Sequence, residues 1–231
     1  DPAGIGAEII LKALGIVKFP SDIKPCLIGC KETIEMTYKN LQSNHNNQIV
    51  NPAELEIEDI PFQGKIIPGK GSYKTGDASF QYLSHGTNLI LKNEGRALVT
   101  GPIAKYTWHA AGHLYDGQTE RLAELDGRKN PSMLFTAVSP HNQWRLNTLL
   151  ATTHISLKEV PQALSPESII SKLNDLLRFC KKFKARPKLA IAGLNPHAGE
   201  EGKIGTEEKN WIIPAIKQWK ELHPEITLEG P

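Results

Sequence analysis

Apolar positions along the chain fall into short β-rich runs separated by longer stretches with helical spacing. That alternation predicts an α/β fold with a largely parallel sheet. A first helix fits residues 3–15, with Ile5, Ile9, Ile10 and Ala13 on one side. Residues 25–29 read as a buried strand, followed by a helix over 31–42. The Asn- and Gln-rich stretch 43–51 reads as a surface loop. A short irregular or β segment around 57–68 precedes a helix that Gly76 opens and that runs to about Asn93. Residues 96–100 then read as a strand ending in the turn Gly101-Pro102.

Two more strands, 133–138 and 144–150, flank Ser139-Pro140-His141-Asn142 and predict an antiparallel hairpin with a loop of about four residues. Ser165 before Pro166 is the N-cap of a helix continuing towards Phe183. A strand over 188–194, a polar loop and a helix over 206–222 complete the pattern, with no internal repeat. The chain opens inside a Gly/Pro turn, Asp1 to Gly6, and stops at Leu228-Glu229-Gly230-Pro231 as a strand is leaving. This gives the expectation of missing flanks at both ends.

Length and composition narrow the class. The 231 residues suffice for one large α/β domain or two modest ones, and 39% hydrophobic with 23% charged residues excludes global disorder. The balance of 27 basic against 25 acidic side chains carries no electrostatic footprint for nucleic acid or an acidic membrane. The basic run Lys181-Lys182-Phe183-Lys184 reads as the solvated C-terminal end of a helix. Cys26, Cys30 and Cys180 have no metal-like spacing and read as packed thiols in a reducing compartment. With no apolar run of membrane-spanning length and no signal-peptide pattern, a soluble, cytoplasmic protein is expected.

The chemistry is concentrated in loops. Gly193-Leu194-Asn195-Pro196-His197-Ala198-Gly199-Glu200 follows a strand, and the carboxyl ends of strands carry the ligand sites of parallel α/β sheets. His154 has the same address, because the strand 144–150 runs into Ala151-Thr152-Thr153-His154. Two imidazoles so placed can converge on one divalent metal. Either histidine alone reads more simply as a loop cap or a surface residue, and their common position brings the metal reading level with it. Gln118 and Thr119, in Gly117-Gln118-Thr119-Glu120, stand where helix-start amides and short polar side chains can hold an anionic or hydroxylated ligand. An ordinary N-cap explains them equally well. Lys105, just past Gly101-Pro102, is placed to pair with a carboxylate or phosphate, or is a surface lysine. No Walker motif, CxxC, HExxH or dinucleotide fingerprint is present. The spacing of His109 and His113 suits one helical face but lacks a third ligand.

Taken in order, Asp1 to Gly6, Gly101-Pro102 with Lys105, Gly117-Gln118-Thr119-Glu120, Ala151 to His154, Gly193 to Glu200, and Gly205-Thr206-Glu207-Glu208 resemble the 4-hydroxythreonine-4-phosphate dehydrogenase family. The NPHAGE loop is the most specific of these. The resemblance implies a fold like that of isocitrate and isopropylmalate dehydrogenases, with two α/β lobes around a cleft. Residues 1–231 would form most of one such unit, lacking an N-terminal strand and a C-terminal portion. It further implies a homodimer with a shared active site.

The implied activity is NAD- or NADP-dependent oxidation of 4-phosphooxy-L-threonine in pyridoxal phosphate synthesis. A divalent metal would assist, zinc first, with magnesium or cobalt as alternatives. On this resemblance His154 and His197 match two of three histidine metal ligands, the third lying downstream, and Gln118 and Thr119 match substrate contacts. The commoner family pattern has His where Gln118 stands, so an amide replaces a titratable group there. Rival readings are a relative acting on a four-carbon sugar acid phosphate, a phosphate acyltransferase-like enzyme, and a binding protein that has lost its chemistry.

Overall fold

The computed structural model describes residues 1–43, 48–127 and 131–231, and divides into two compact units, Asp1–Pro131 and Ser132–Pro231. Part of the surface loop expected over 43–51 therefore lies outside the described residues.

In the first unit, α1 (Gly6–Ile16) precedes a β–α–β segment of β1 (Cys26–Gly29), α2 (Lys31–Ser43) and β2 (Glu56–Asp59). The strands pair in parallel, with Leu27 opposite Ile57. Parallel neighbours need a long crossover, which α2 supplies. The apolar spacing of Ala7, Ile10, Leu11 and Leu14 is i, i+3, i+4, i+7, and this stripe packs with Leu27, Ile34 and Ile57. It differs from the face expected from sequence: Ile5 and Ile9 lie off that stripe and are exposed. The helix has more apolar positions than one buried stripe can hold, so the sequence offered two faces and packing selected one.

The rest of this unit is α3 (Tyr73–Leu91), α4 (Lys105–Ala110) and α5 (Gln118–Leu125). Helix α3 begins three residues before Gly76. The Ser72 hydroxyl accepts from the Thr75 N–H and Thr75 Oγ1 from the Ser72 N–H, which satisfies two donors left open at a helix start. Gly76 instead lies inside the helix, where a β-carbon would overlap the backbone of Thr107, so it permits close approach of α3 and α4. Trp108 on α4 is fully buried, donates from Nε1 to Ser79 Oγ at 2.7 Å and packs edge-on against Phe80. The strand expected over 96–100 does not form. No ladder partner is found among the described residues, Val99 is 91% exposed, and strand propensity without a partner does not make a strand.

The second unit opens with the hairpin of β3 (Leu134–Val138) and β4 (Arg145–Leu149), antiparallel as expected. Ser139 N–H donates to the Trp144 carbonyl, closing a four-residue loop. After the short α6 (Val160–Ala163), α7 (Pro166–Cys180) starts from a Ser165–Ser168 capping box. Its stripe Ile169, Leu173, Leu177 faces Ile216 and Trp219 of α8 (Ile213–Leu222) and Leu189 and Leu228 of β5 (Lys188–Ala190) and β6 (Thr227–Glu229). The latter strands pair in parallel. A π-helical turn, Glu208–Ile212, leads into α8. At the basic run, Lys181 pairs with Glu225 at 3.4 Å.

Two sequence expectations are corrected here. The strand expected over 188–194 stops at Ala190, and Cys26 is exposed although Cys30 is buried. The described strands form three separate two-stranded sheets, two parallel and one antiparallel. No helix among the described residues is long and apolar enough to cross a membrane.

Candidate functional site

In the first unit the structure gathers three of the segments singled out from sequence. Gln118 is the first residue of α5, after Gly117, whose backbone supplies no side-chain cap. The Gln118 side chain does not cap its own helix. Its Nε2 donates to the Gly101 carbonyl at 3.0 Å and ties the Gly101-Pro102 turn to the start of α5. Lys105 lies at the same place, its Cε and Nζ 3.8 and 4.0 Å from where a β-carbon on Gly117 would stand. Gly6, at the start of α1, has its Cα 3.7 Å from the corresponding position on Gly101. Lys105 is exposed and Thr119 half-buried. The uncapped N–H groups of α5 and the Lys105 ammonium favour negative charge there, and the Glu120 carboxylate of the first turn already lies beside them, its Oε2 3.4 Å from the same position on Gly117. His109 and His113 are occupied otherwise: one ring bonds the Tyr115 carbonyl, and the other stacks on Phe80 and bonds Asp77 at 2.8 Å.

The second unit holds both histidines. Each follows a strand end, His154 after β4 of the antiparallel hairpin and His197 after β5 of the separate parallel pair. Both are exposed and both have left-handed backbone, φ 57° at His154 and 50° at His197. Among the described residues no group of three or more His, Cys, Asp or Glu side chains comes together as a metal site. Catalytic zinc takes three protein ligands, so two imidazoles do not amount to a complete site.

The loop carrying His197 is built in an uncommon way. Residues 197–201 all have positive φ, between 44° and 79°, forming one left-handed turn of which only Gly199 is glycine. For L-residues this conformation costs roughly 1–2 kcal/mol each, so the surrounding bonds must over-determine it. Backbone bonds brace the turn, Ala198 N–H to the Asn195 carbonyl at 3.1 Å and Ile204 N–H to the Gly199 carbonyl at 3.1 Å. Asn195 is itself bound by Glu208, on the π-helical turn. Its carboxylate is 1% exposed and accepts from the Asn195 backbone N–H at 2.7 Å and from Asn195 Nδ2 at 2.8 Å. Asn195 Nδ2 donates as well to Glu207 Oε2 at 2.8 Å.

Burial pushes the Glu208 carboxyl up, but the bonds from the Asn195 side chain and from the Asn195, Glu208 and Leu194 backbones outweigh it. They hold the group below its ordinary range. Glu207 is likewise lowered, by its own backbone N–H and by Asn195. In the sequence Glu207 and Glu208 stand out only as part of a motif, and nothing there assigns Asn195 a role. The available signal was an acidic pair at a helix start shortly after a Gly-rich loop. Burial, which makes Glu208 unusual, is not visible in a sequence.

With this geometry established, similarity to known proteins decides the family. The family described as pyridoxal phosphate biosynthetic protein PdxA matches residues 21–231. This chain belongs to the PdxA family. A relative from Synechococcus sp. (strain RCC307), named 4-hydroxythreonine-4-phosphate dehydrogenase, is 50% identical over 231 residues, covering all of this chain and 70% of the relative. One of the same name from Synechocystis sp. (strain ATCC 27184 / PCC 6803 / Kazusa) is 44% identical over 236 residues, covering all of this chain and 68% of the relative. The crystal structure of a 4-hydroxythreonine-4-phosphate dehydrogenase from Burkholderia phymatum superposes with a TM-score of 0.81 at 28% identity, over all of this chain and 71% of that one. The α/β fold with parallel strand pairs is thus that of PdxA-family structures.

Proposed function

We propose that this PdxA-family chain serves a dehydrogenase that oxidises 4-phosphooxy-L-threonine with NAD or NADP, in pyridoxal phosphate synthesis. The C3 hydroxyl loses its proton and C3 loses a hydride to the nicotinamide. The resulting β-keto acid then loses CO2. The observation that carries the reading is the grouping at the start of α5, where the exposed Lys105 lies beside Gly117 and the uncapped helix amides, with Thr119 in the same first turn. Such a group suits a phosphorylated, hydroxylated substrate.

Gln118 acts there through its amide. The bond to Gly101 uses one N–H and leaves the carbonyl and the second N–H for a ligand. His154 and His197 are proposed as two imidazole ligands of a divalent ion, zinc before magnesium or cobalt. The described residues bring no third ligand together with them. The proposal also takes the protein to be a cytoplasmic homodimer with a shared, two-lobed active site, as the family resemblance implies.

The test is nicotinamide reduction, followed by absorbance, with 4-phosphooxy-L-threonine and with a four-carbon sugar acid phosphate as alternative substrate. Turnover of the first is expected. Gln118→Ala should raise KM with little change in kcat, and Gln118→His, which keeps a donor for the Gly101 carbonyl, should be tolerated. Preference for the sugar acid phosphate, or no reduction of either nicotinamide, overturns the proposal.

A further inference from the structure

We propose that Glu208 is a positioning residue for His197: its buried carboxylate clamps Asn195 and thereby holds the left-handed turn that presents the imidazole. The inference rests on the reading of His197 as a functional group, and it adds a residue that touches neither substrate nor metal. Three facts lead to it. The turn is left-handed at five consecutive positions, a backbone that four side-chain-bearing residues do not choose unaided. A structural carboxylate in a core is ordinarily paired with a cation, whereas Glu208 is bound by amide donors, and two of the hydrogen bonds come from the residue two before His197.

The third fact is shape. A β-carbon on Gly199 would stand 2.6 Å from the Gly205 carbonyl oxygen and 3.1 Å from Glu208 Oε2, so the turn is seated directly on the clamp. The Ile204 N–H closes it from behind by donating to the Gly199 carbonyl at 3.1 Å. Both Glu208 oxygens are engaged, one by the Asn195 backbone and one by its side chain. A glutamine at 208 has only one acceptor oxygen and must turn its N–H groups towards a donor, so one bond is lost with almost no change in volume.

The experiment compares the wild-type protein with Glu208→Gln and, as a milder variant, Asn195→Ala, which removes only the side-chain branch of the clamp. Three readouts are taken: backbone NMR shifts of residues 197–201, the thermal unfolding midpoint, and kcat and KM for nicotinamide reduction. Both variants are expected to move the shifts of 197–201 away from left-handed values while those of α7 and β6 stay in place. A fall in kcat of tenfold or more with KM changed less than threefold should accompany this.

If Glu208→Gln fails to fold, Asn195→Ala carries the same readouts. Unmoved shifts at 197–201 in a folded variant overturn the proposal, as does a loss of kcat with the turn intact. Absent turnover in the wild type would instead count against the proposed activity, and the shifts would still decide the clamp.

Discussion

Replacing Trp108 by Phe should destabilise the first unit by about 2–3 kcal/mol, and the structure allows that figure to be worked out. The indole is fully buried and donates to Ser79 Oγ, while Ser79 donates in turn to the Gly76 carbonyl at 2.9 Å. Phenylalanine deletes the N–H and one ring. The lost hydrogen bond accounts for about 1 kcal/mol, the lower part of the range because Ser79 keeps its own acceptor. The space left by the second ring adds roughly 1–2 kcal/mol, since the neighbouring Gly76–Thr107 contact leaves the helices little room to collapse.

Equilibrium urea unfolding of wild type, Trp108→Phe, Ser79→Ala and the double variant would separate the two contributions. A coupling near 1 kcal/mol between the sites is expected. Hydrogen exchange of the indole N–H gives an independent measure, because Trp108 should be protected whereas Trp144, 61% exposed, should not. A loss below about 0.5 kcal/mol, or a Trp108 indole exchanging as fast as that of Trp144, would refute the reasoning.

Two further predictions concern the second unit. Because the folded Glu208 carboxyl lies below its ordinary value, its contribution is fully present above the unfolded carboxylate range, about pH 4.3, and is lost as pH falls through the folded value. The urea midpoints of wild type and Glu208→Gln should therefore keep a constant gap above about pH 4.3 and converge only as the pH falls below it, and a gap that widens on acidification contradicts the assignment. Residues 1–231 alone should bind zinc weakly by calorimetry, since two exposed imidazoles supply fewer than the three ligands of a catalytic site; tight stoichiometric binding would show the ligand set to be misassigned.

Local signals in the sequence suffice to place several elements. The Ser165-Pro166 start of α7, the hairpin flanking Pro140, and the helix after Gly29 each depend on neighbouring residues, and each appears close to its expected place. Features that depend on distant partners are not legible in this way. The run 96–100 has strand composition without a strand to pair with, and α1 offered two apolar faces between which only tertiary packing could choose. The site divides in the same way. Gln118 and Lys105 were marked by type and position, but the tie to Gly101 spans 17 residues and could not be seen. Glu208 was hidden for a different reason: a sequence shows a charge and not whether it is buried.

The left-handed turn at 197–201 also reverses the usual direction of substitution. Elsewhere in a folded chain, exchanging a side chain for glycine loosens the backbone and is ordinarily harmful. At Ala198, Glu200 and Glu201, with φ of 50°, 44° and 58°, glycine would relieve strain that the present residues carry. Gly199, at φ 79° and against the Gly205 carbonyl, is the position of the five where a side chain meets both torsional strain and a wall of backbone. In a library of random variants this stretch should therefore accept glycine at its flanks while rejecting every replacement of the glycine at its centre. That pattern would mark the turn even where no structure is available to show it.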